Sequence, residues 1–383
     1  MLEQRILKIN FPGKLVFGNG VMKQLAEEII QLDCKEVILL TIKPLVSQLA
    51  SFVSELDKHN IVVIADTSIE QEPTFSDFKN LLNQFKDSNA DTVIGIGGGS
   101  VLDVAKLIAA QLDNSQTLEE IVGNGLLKGR NKRLICVPAT SGTGSEVSPN
   151  AILVDDDNQK KGIISPFLVP DMVYADPLLT ISLPASITAA TGLDALTHCL
   201  EAFTNKFSQP FIDMYAFEGM RLIAENIVEA VNNGSNEDAR SKVALGSILG
   251  GFCLGPVNTA GVHALSYPLG SMFHLPHGLS NALLLPYIME YNYVANPKKY
   301  AEVAIALGCR RENTDEETAI AGIQKIKELI EACGIPSRLN QLNIPKEAIT
   351  EMANDAMKIT RLLVNNPREI KIEDAISIYN TAY

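Results

Sequence analysis

Tryptophan is missing altogether, and histidine is scarce, with five copies in 383 residues. The first absence carries no functional message; the second makes every histidine worth locating. The six cysteines (Cys34, Cys136, Cys199, Cys253, Cys309, Cys333) never form a C-x-x-C pair. That argues against a thiolate zinc site or a disulfide framework and fits a reducing cytoplasm. The longest apolar stretch, Val243–Val257, is interrupted by four glycines and is shorter than the ~18 residues a membrane span needs, so it reads as a buried helix. Met1–Phe11 lacks the apolar region of a signal peptide. Excess positive charge is absent as well: a formal net charge of -13 argues against nucleic acid or an anionic membrane as partner.

What is present is a globular composition, 46% hydrophobic and 20% charged, in a chain long enough for two domains of roughly 150–200 residues each. Short β-branched runs (Glu36–Thr41, Ile61–Ala65, Thr92–Ile96, Arg133–Val137) alternate with helical patterns such as Val46–His59 and Thr74–Ser88. This alternation predicts an α/β domain over residues 1–182 with a mostly parallel sheet. An extended pair, Ala151–Asp155 and Gly162–Pro166, is expected around the turn Asp155–Asn158. Beyond Leu183-Pro184 the patterns are helical: Ala185–Thr204, Phe211–Asn232, Asp238–Leu254 and Glu316–Cys333 carry apolar residues three and four apart. Residues 183–383 therefore read as an all-α domain, and a small-molecule site is expected where two such domains meet.

Two turns stand out in the first half. In Thr92–Lys106 a strand runs into a helix through Gly97, Gly98, Gly99 and Ser100. Glycines there let a phosphate approach the exposed amides of the helix start. The segment departs from G-x-G-x-x-G because Ser100 stands at the third glycine, so a plain tight turn stays open. Pro138–Glu146, rich in Gly, Ser and Thr, also follows a strand. Together the two turns make a dinucleotide site more plausible than either does alone.

Four of the five histidines fall between positions 198 and 277. Asp194 and His198 are four apart in a helical pattern and share one face. His263 and His277 flank Pro268 and Pro276-His-Gly278, which should break the segment into a helix, a turn and a new helix start, a reversal that can return His277 to His263. Three imidazoles with one carboxylate suit Zn²⁺ or Fe²⁺. Spacing alone leaves a metal site and ordinary side-chain hydrogen bonds equally open. His59 follows a charged helix end and reads as a surface residue.

At this point the motifs resemble the iron-containing (group III) alcohol dehydrogenase family. The resemblance runs over essentially the whole chain, through Phe11–Gly20, Gly97–Lys106, Pro138–Glu146, Thr191–His198 and Gly261–Gly278. It implies a dinucleotide-binding α/β domain, a helical domain and a metal in the cleft between them. Carried over residue by residue, it makes Asp194, His198, His263 and His277 the metal ligands, with Fe²⁺ the family expectation and Zn²⁺ possible chemically. It assigns the pyrophosphate to Gly97, Gly98, Gly99 and Ser100, and further cofactor contacts to Thr140, Thr143 and Lys160. A homodimer in the cytoplasm, acting on a small alcohol or aldehyde, is also what it suggests.

Two departures from the family pattern matter. Ile42 stands where many members place an aspartate that binds the adenosine ribose, and Lys43 follows it. Without that carboxylate a ribose 2′-phosphate is no longer repelled, so NAD and NADP both stay open. Tyr267 stands where some members carry a further histidine; if that histidine relays protons, Tyr267 or His274 must take its place. The expected reaction is metal-assisted hydride transfer between a small alcohol and its aldehyde or ketone. Two other classes compete with this one. A dehydroquinate-synthase-like lyase needs converging Lys and Arg, yet Gly261–Ala282 contains neither. A non-catalytic metal- or dinucleotide-binding sensor sits uneasily with an intact set of ligands.

Overall fold

The computed structural model describes residues 6–157 and 159–383. Met1–Arg5, part of the stretch read above for a leader, and Asn158 of the expected turn lie outside the described residues. The strands are β1 Lys14–Phe17, β2 Glu36–Leu40, β3 Val62–Asp66, β4 Thr92–Gly97, β5 Gly123–Asn124, β6 Arg133–Pro138, β7 Asn150–Val154, β8 Lys160–Ile164 and β9 Met172–Ala175. The helices among them are α1 Met22–Gln31, α2 Val46–Lys58, α3 Phe75–Phe85, α4 Gly99–Gln111 and α5 Leu118–Ile121. After them come α6 Ala185–Thr204, α7 Pro210–Asn232, α8 Glu237–Leu254, α9 Gly261–Phe273 and α10 His277–Asn292. The chain ends with α11 Pro297–Ala306, α12 Asp315–Ala332, α13 Ile349–Ala356, α14 Thr360–Leu363 and α15 Ile372–Ala382.

By its contacts the chain divides into two units: residues 1–140 with 145–180, and residues 181–383 with the tetrapeptide Ser141–Gly144. The first unit holds a parallel sheet in the order β1-β9-β6-β4-β2-β3 and a small sheet β5-β8-β7. Its central strands are apolar without interruption because both faces are covered. Alternate residues serve opposite faces: Ile38, Leu40, Val93, Leu134 and Cys136 join one core, while Val37, Leu39, Ile94, Ile135 and Val137 join the other. Each such fully buried aliphatic side chain is worth roughly 1.5–3 kcal/mol. The register pairs Gly97 with Pro138, so the glycine turn and the Ser/Thr-rich turn leave the sheet at the same edge. The expected extended pair is β7 and β8, antiparallel, with β8 beginning two residues earlier than the sequence pattern indicated.

In the second unit α6 is the hub, packed against α7, α8, α9, α10 and α11. From Thr188 onward it is buried almost all round, which is why apolar residues occur all round it, interrupted by Asp194, His198 and Glu201. Among the described residues no strand lies beyond Ala175, and no helix is long and apolar enough to cross a membrane. One expectation needs correcting. Pro268 does not break α9, which runs through it to Phe273. The reversal comes instead at His274, which takes a left-handed cap at φ 56°, and Pro276 then starts α10 at His277.

Candidate metal centre

The centre is assembled from three helices of the second unit. Asp194, His198 and Glu201 stand at i, i+4 and i+7 of α6 and therefore share one face. His263 lies in the first turn of α9 and His277 opens α10. The close seating of α10 on α6 depends on Gly278, where a Cβ would fall 2.3 Å from the Ala190 carbonyl oxygen. Asp194 Oδ1 lies 3.9 Å from His198 Nε2, 3.6 Å from His263 Nε2 and 3.9 Å from His277 Nε2. The ligand atoms of Asp194, His263 and His277 fall within 4.8 Å of one another. His198 stacks on His263 with ring centroids 4.8 Å apart. Asp194, His198 and His263 are buried, and His277 is half-buried.

The imidazoles are aimed by what their other nitrogens touch. His263 Nδ1 is 2.6 Å from Glu201 Oε2, and His198 Nδ1 is 3.2 Å from the Gly142 carbonyl oxygen. An N–H donated at Nδ1 in each case leaves the Nε2 lone pair facing Asp194. Glu201 also accepts from the amides of Ala260 at 3.0 Å and Val262 at 2.5 Å, so its charge sits at the start of α9, where helix amides have no partner of their own. Gly142 is held in turn by Gly144, whose backbone has φ +61° and where a Cβ would meet Gly251 Cα at 2.3 Å. Burial pushes the Asp194 carboxyl up, but the facing His198, His277 and His263 and the bond from Asn281 outweigh it and hold it near about 2. Burial lowers His198, against the pull of Asp194. An ionised carboxylate facing imidazole lone pairs is a donor set for a divalent cation. Tetrahedral ligands about 2.1 Å from one ion lie about 3.4 Å apart, close to the separations found.

Tyr267 is one turn beyond His263 on α9; its ring centroid is 5.9 Å from that of His277 and its hydroxyl accepts from Arg361 Nη2 at 3.0 Å. His274 occupies the exposed cap of α9. In the first unit, Gly98 is the extended N-cap of α4 with no side-chain cap, leaving the amides of Gly99 and Ser100 at an open helix start. Thr140 lies beside it: a Cβ on Gly98 would be 3.4 Å from Thr140 Cγ2. Thr143 belongs to the tetrapeptide that packs with the helical unit. Lys160, on β8, is ion-paired with Glu72. Ile42 packs against both cores of the sheet, and Lys43 pairs with Glu70, both exposed.

Two residues of the centre escaped the sequence reading. Glu201 extends Asp194 and His198 to a D-x₃-H-x₂-E face, and that spacing was the available signal. Asn281 follows His277 by one turn and puts Nδ2 2.6 Å from Asp194 Oδ1; a polar residue on the buried face of an otherwise apolar helix was the clue.

A donor set of imidazole and carboxylate, in a chain that also carries an uncapped glycine-started helix on a parallel sheet, fits a metal-dependent enzyme that uses a nucleotide cofactor. Comparison with known proteins makes the class specific. Residues 12–177 match the family model for iron-containing alcohol dehydrogenase and residues 188–383 that for the C-terminal region of the Fe-containing alcohol dehydrogenase family. A long-chain-alcohol dehydrogenase of Geobacillus thermodenitrificans is 35% identical over 99% of this chain and 97% of its own. The crystal structure of a 1,3-propanediol oxidoreductase superposes with a TM-score of 0.95 at 32% identity, covering 99% of this chain and all of that one. Sulfoacetaldehyde reductase from Bifidobacterium kashiwanohense, solved with NAD+, gives 0.88 at 26% identity, covering 99% of each chain. The chain belongs to the iron-containing alcohol dehydrogenase family. It is an enzyme of the alcohol dehydrogenase class, and neither the lyase nor the sensor reading finds support among these relatives.

Proposed function

We propose that the chain interconverts a small alcohol with its aldehyde or ketone, using NAD or NADP and one divalent cation held by Asp194, His198, His263 and His277. The observation that carries this reading is the convergence of three imidazole Nε2 atoms on one buried carboxylate oxygen at 3.6–3.9 Å. Bound there, Fe²⁺ or Zn²⁺ would supply Lewis acidity, and the dinucleotide would supply a two-electron carrier. The chain's own residues do the rest. Asp194 contributes the carboxylate among the four ligands, Glu201 and the Gly142 carbonyl fix two imidazoles, and burial keeps bulk water from His198 and His263. The turn Gly97, Gly98, Gly99 and Ser100 is assigned to the pyrophosphate, with Thr140, Thr143 and Lys160 as further contacts; Ile42 contributes packing without a ribose-binding carboxylate. Of the two relay candidates, Tyr267 holds the better place, its hydroxyl able to carry a proton close to His277, whereas His274 is exposed at a helix cap. The working form is proposed as a homodimer in the cytoplasm, a compartment that six free cysteines fit.

The relatives act on long-chain alcohols, 1,3-propanediol and sulfoacetaldehyde, so a panel spanning these sizes is the informative test. Purified without air, loaded with Fe²⁺ or Zn²⁺ and offered primary alcohols, diols and aldehydes with each cofactor, the protein should change nicotinamide absorbance. A chelator should stop the change and added metal should restore it. A metal-loaded, dinucleotide-binding protein that turns over no member of the panel would sink the reading.

A further inference from the structure

Asn281 is wholly buried, 0% exposed, and its position is unlike that of a residue that only steadies a ligand. Its amide nitrogen lies 2.6 Å from Asp194 Oδ1, 3.1 Å from His263 Nε2 and 3.2 Å from His277 Nε2. Two N–H bonds thus face three acceptors, and those acceptors are the atoms assigned above to the cation. The other end of the amide, Oδ1, is buried and finds no donor among the described residues. A partner that merely supported Asp194 would meet the carboxylate alone. Here the lone pairs of two imidazoles converge on the amide nitrogen as well. A cation about 2.1 Å from each of the same atoms leaves no room for that nitrogen.

We propose that the Asn281 amide and the divalent cation compete for one point, so that loading the centre requires the side chain to turn aside. The inference rests on the reading of Asp194, His198, His263 and His277 as ligands. Without metal, the two N–H bonds of the amide are shared among a buried carboxylate and two imidazoles. With metal, those bonds are surrendered. Asn281 therefore weakens metal binding by the free energy it gives the metal-stripped protein, and it sets how readily the ion exchanges.

The sign of this effect separates it from ordinary support. Loss of a supporting partner weakens metal binding about 10–100-fold; loss of a competitor strengthens it. The test measures Zn²⁺ affinity by competition with a chromophoric chelator, together with melting temperature before and after stripping the metal. Asn281→Ala should bind Zn²⁺ about tenfold more tightly, with a lower melting temperature only in the stripped state. Asn281→Ser, which keeps a small polar group away from the shared point, should shift in the same direction and serves if the alanine variant misfolds. Weaker or unchanged Zn²⁺ affinity in the folded variants overturns the proposal while leaving the ligand reading standing. A wild-type protein that binds no Zn²⁺ overturns both.

Discussion

Each unit buries a cluster of charged side chains, and the two clusters follow opposite rules. In the α/β unit Lys106 is 0% exposed, and its ammonium donates to Ser145 Oγ at 2.8 Å, the Ser148 carbonyl at 3.0 Å and the Asn150 carbonyl at 2.8 Å. Its three N–H bonds have three acceptors within 3.0 Å, with Ser148 Oγ a more distant fourth at 3.4 Å. The Ser145 hydroxyl donates in turn to Asp103 Oδ1 at 2.5 Å, and Asp103 also accepts from the Ile152 amide at 2.9 Å. The ammonium has an acceptor for each N–H and a counter-charge in Asp103 at 4.0 Å, and the result ties α4 to the loop before β7. In the helical unit, two imidazole lone pairs and a carboxylate face a single amide. There the acceptors outnumber the donors, and the deficit is cationic. Burial is common to both clusters; what marks the second as a site is that its bonds do not close.

The comparison can be broken most directly at His198. His198→Ala removes one acceptor and should empty the centre of metal, with kcat/KM falling at least about a thousandfold and dinucleotide affinity largely kept. Metal analysis, turnover and a fluorescence titration of bound cofactor read the three parts separately; undiminished turnover would refute the ligand assignment. Lys106→Met should do the reverse. It strands Asp103 and two buried carbonyls and should cost about 3 kcal/mol of stability in denaturant unfolding, yet metal per folded chain should not change. Loss of metal in that variant would erase the distinction between the clusters.

Glu146, beside Lys106, sharpens the contrast through pH. Burial raises its carboxyl from 4.5 to about 7, despite the opposing pull of its own backbone amide and of Lys106. An acid whose folded value lies above its unfolded one binds its proton more tightly when folded. The fold is therefore penalised once pH passes the unfolded value, increasingly up to about 7, and fully above it. Stability of the wild type should fall between pH 5 and pH 8. Glu146→Gln should flatten that decline and gain on the order of 2–3 kcal/mol at pH 8. An unchanged slope in chemical unfolding across that range would remove Glu146 as its source.

The sequence made different parts of this picture legible to different degrees. Ala185–Thr204 is a helix to the residue, and the strands beginning at Glu36, Thr92 and Arg133 were clear because two-face burial writes an apolar run. β1 and β9 were not found. Each has four residues, and their pairing spans most of the first unit, so no local period announces it. Pro268 misled because a proline's cost is judged locally, whereas the buried packing of α9 holds the helix through it. At the centre, Asp194 and His198 were legible from one helix face. Glu201 was not, because its value depends on amides 59 and 61 residues away.

Glu201 supplies the finest test of the comparison. Its carboxylate takes three N–H groups, those of Ala260, Val262 and His263. Glu201→Gln keeps size and shape but offers one carbonyl oxygen and an N–H₂ group, so at least one of those donors must face another donor. The helix start loses its anion, and His263 loses the bond that fixes which nitrogen carries the proton. Zn²⁺ affinity should fall about 10–100-fold, with the ligands themselves untouched. Asn281→Ala is expected to move the same measurement the other way. Opposite signs from two uncharged substitutions, both one contact removed from the proposed ion, would show that Glu201 aims the ligands whereas Asn281 contests their centre. If both variants weaken binding alike, the amide is one more support, and the convergence at its nitrogen has no consequence for loading.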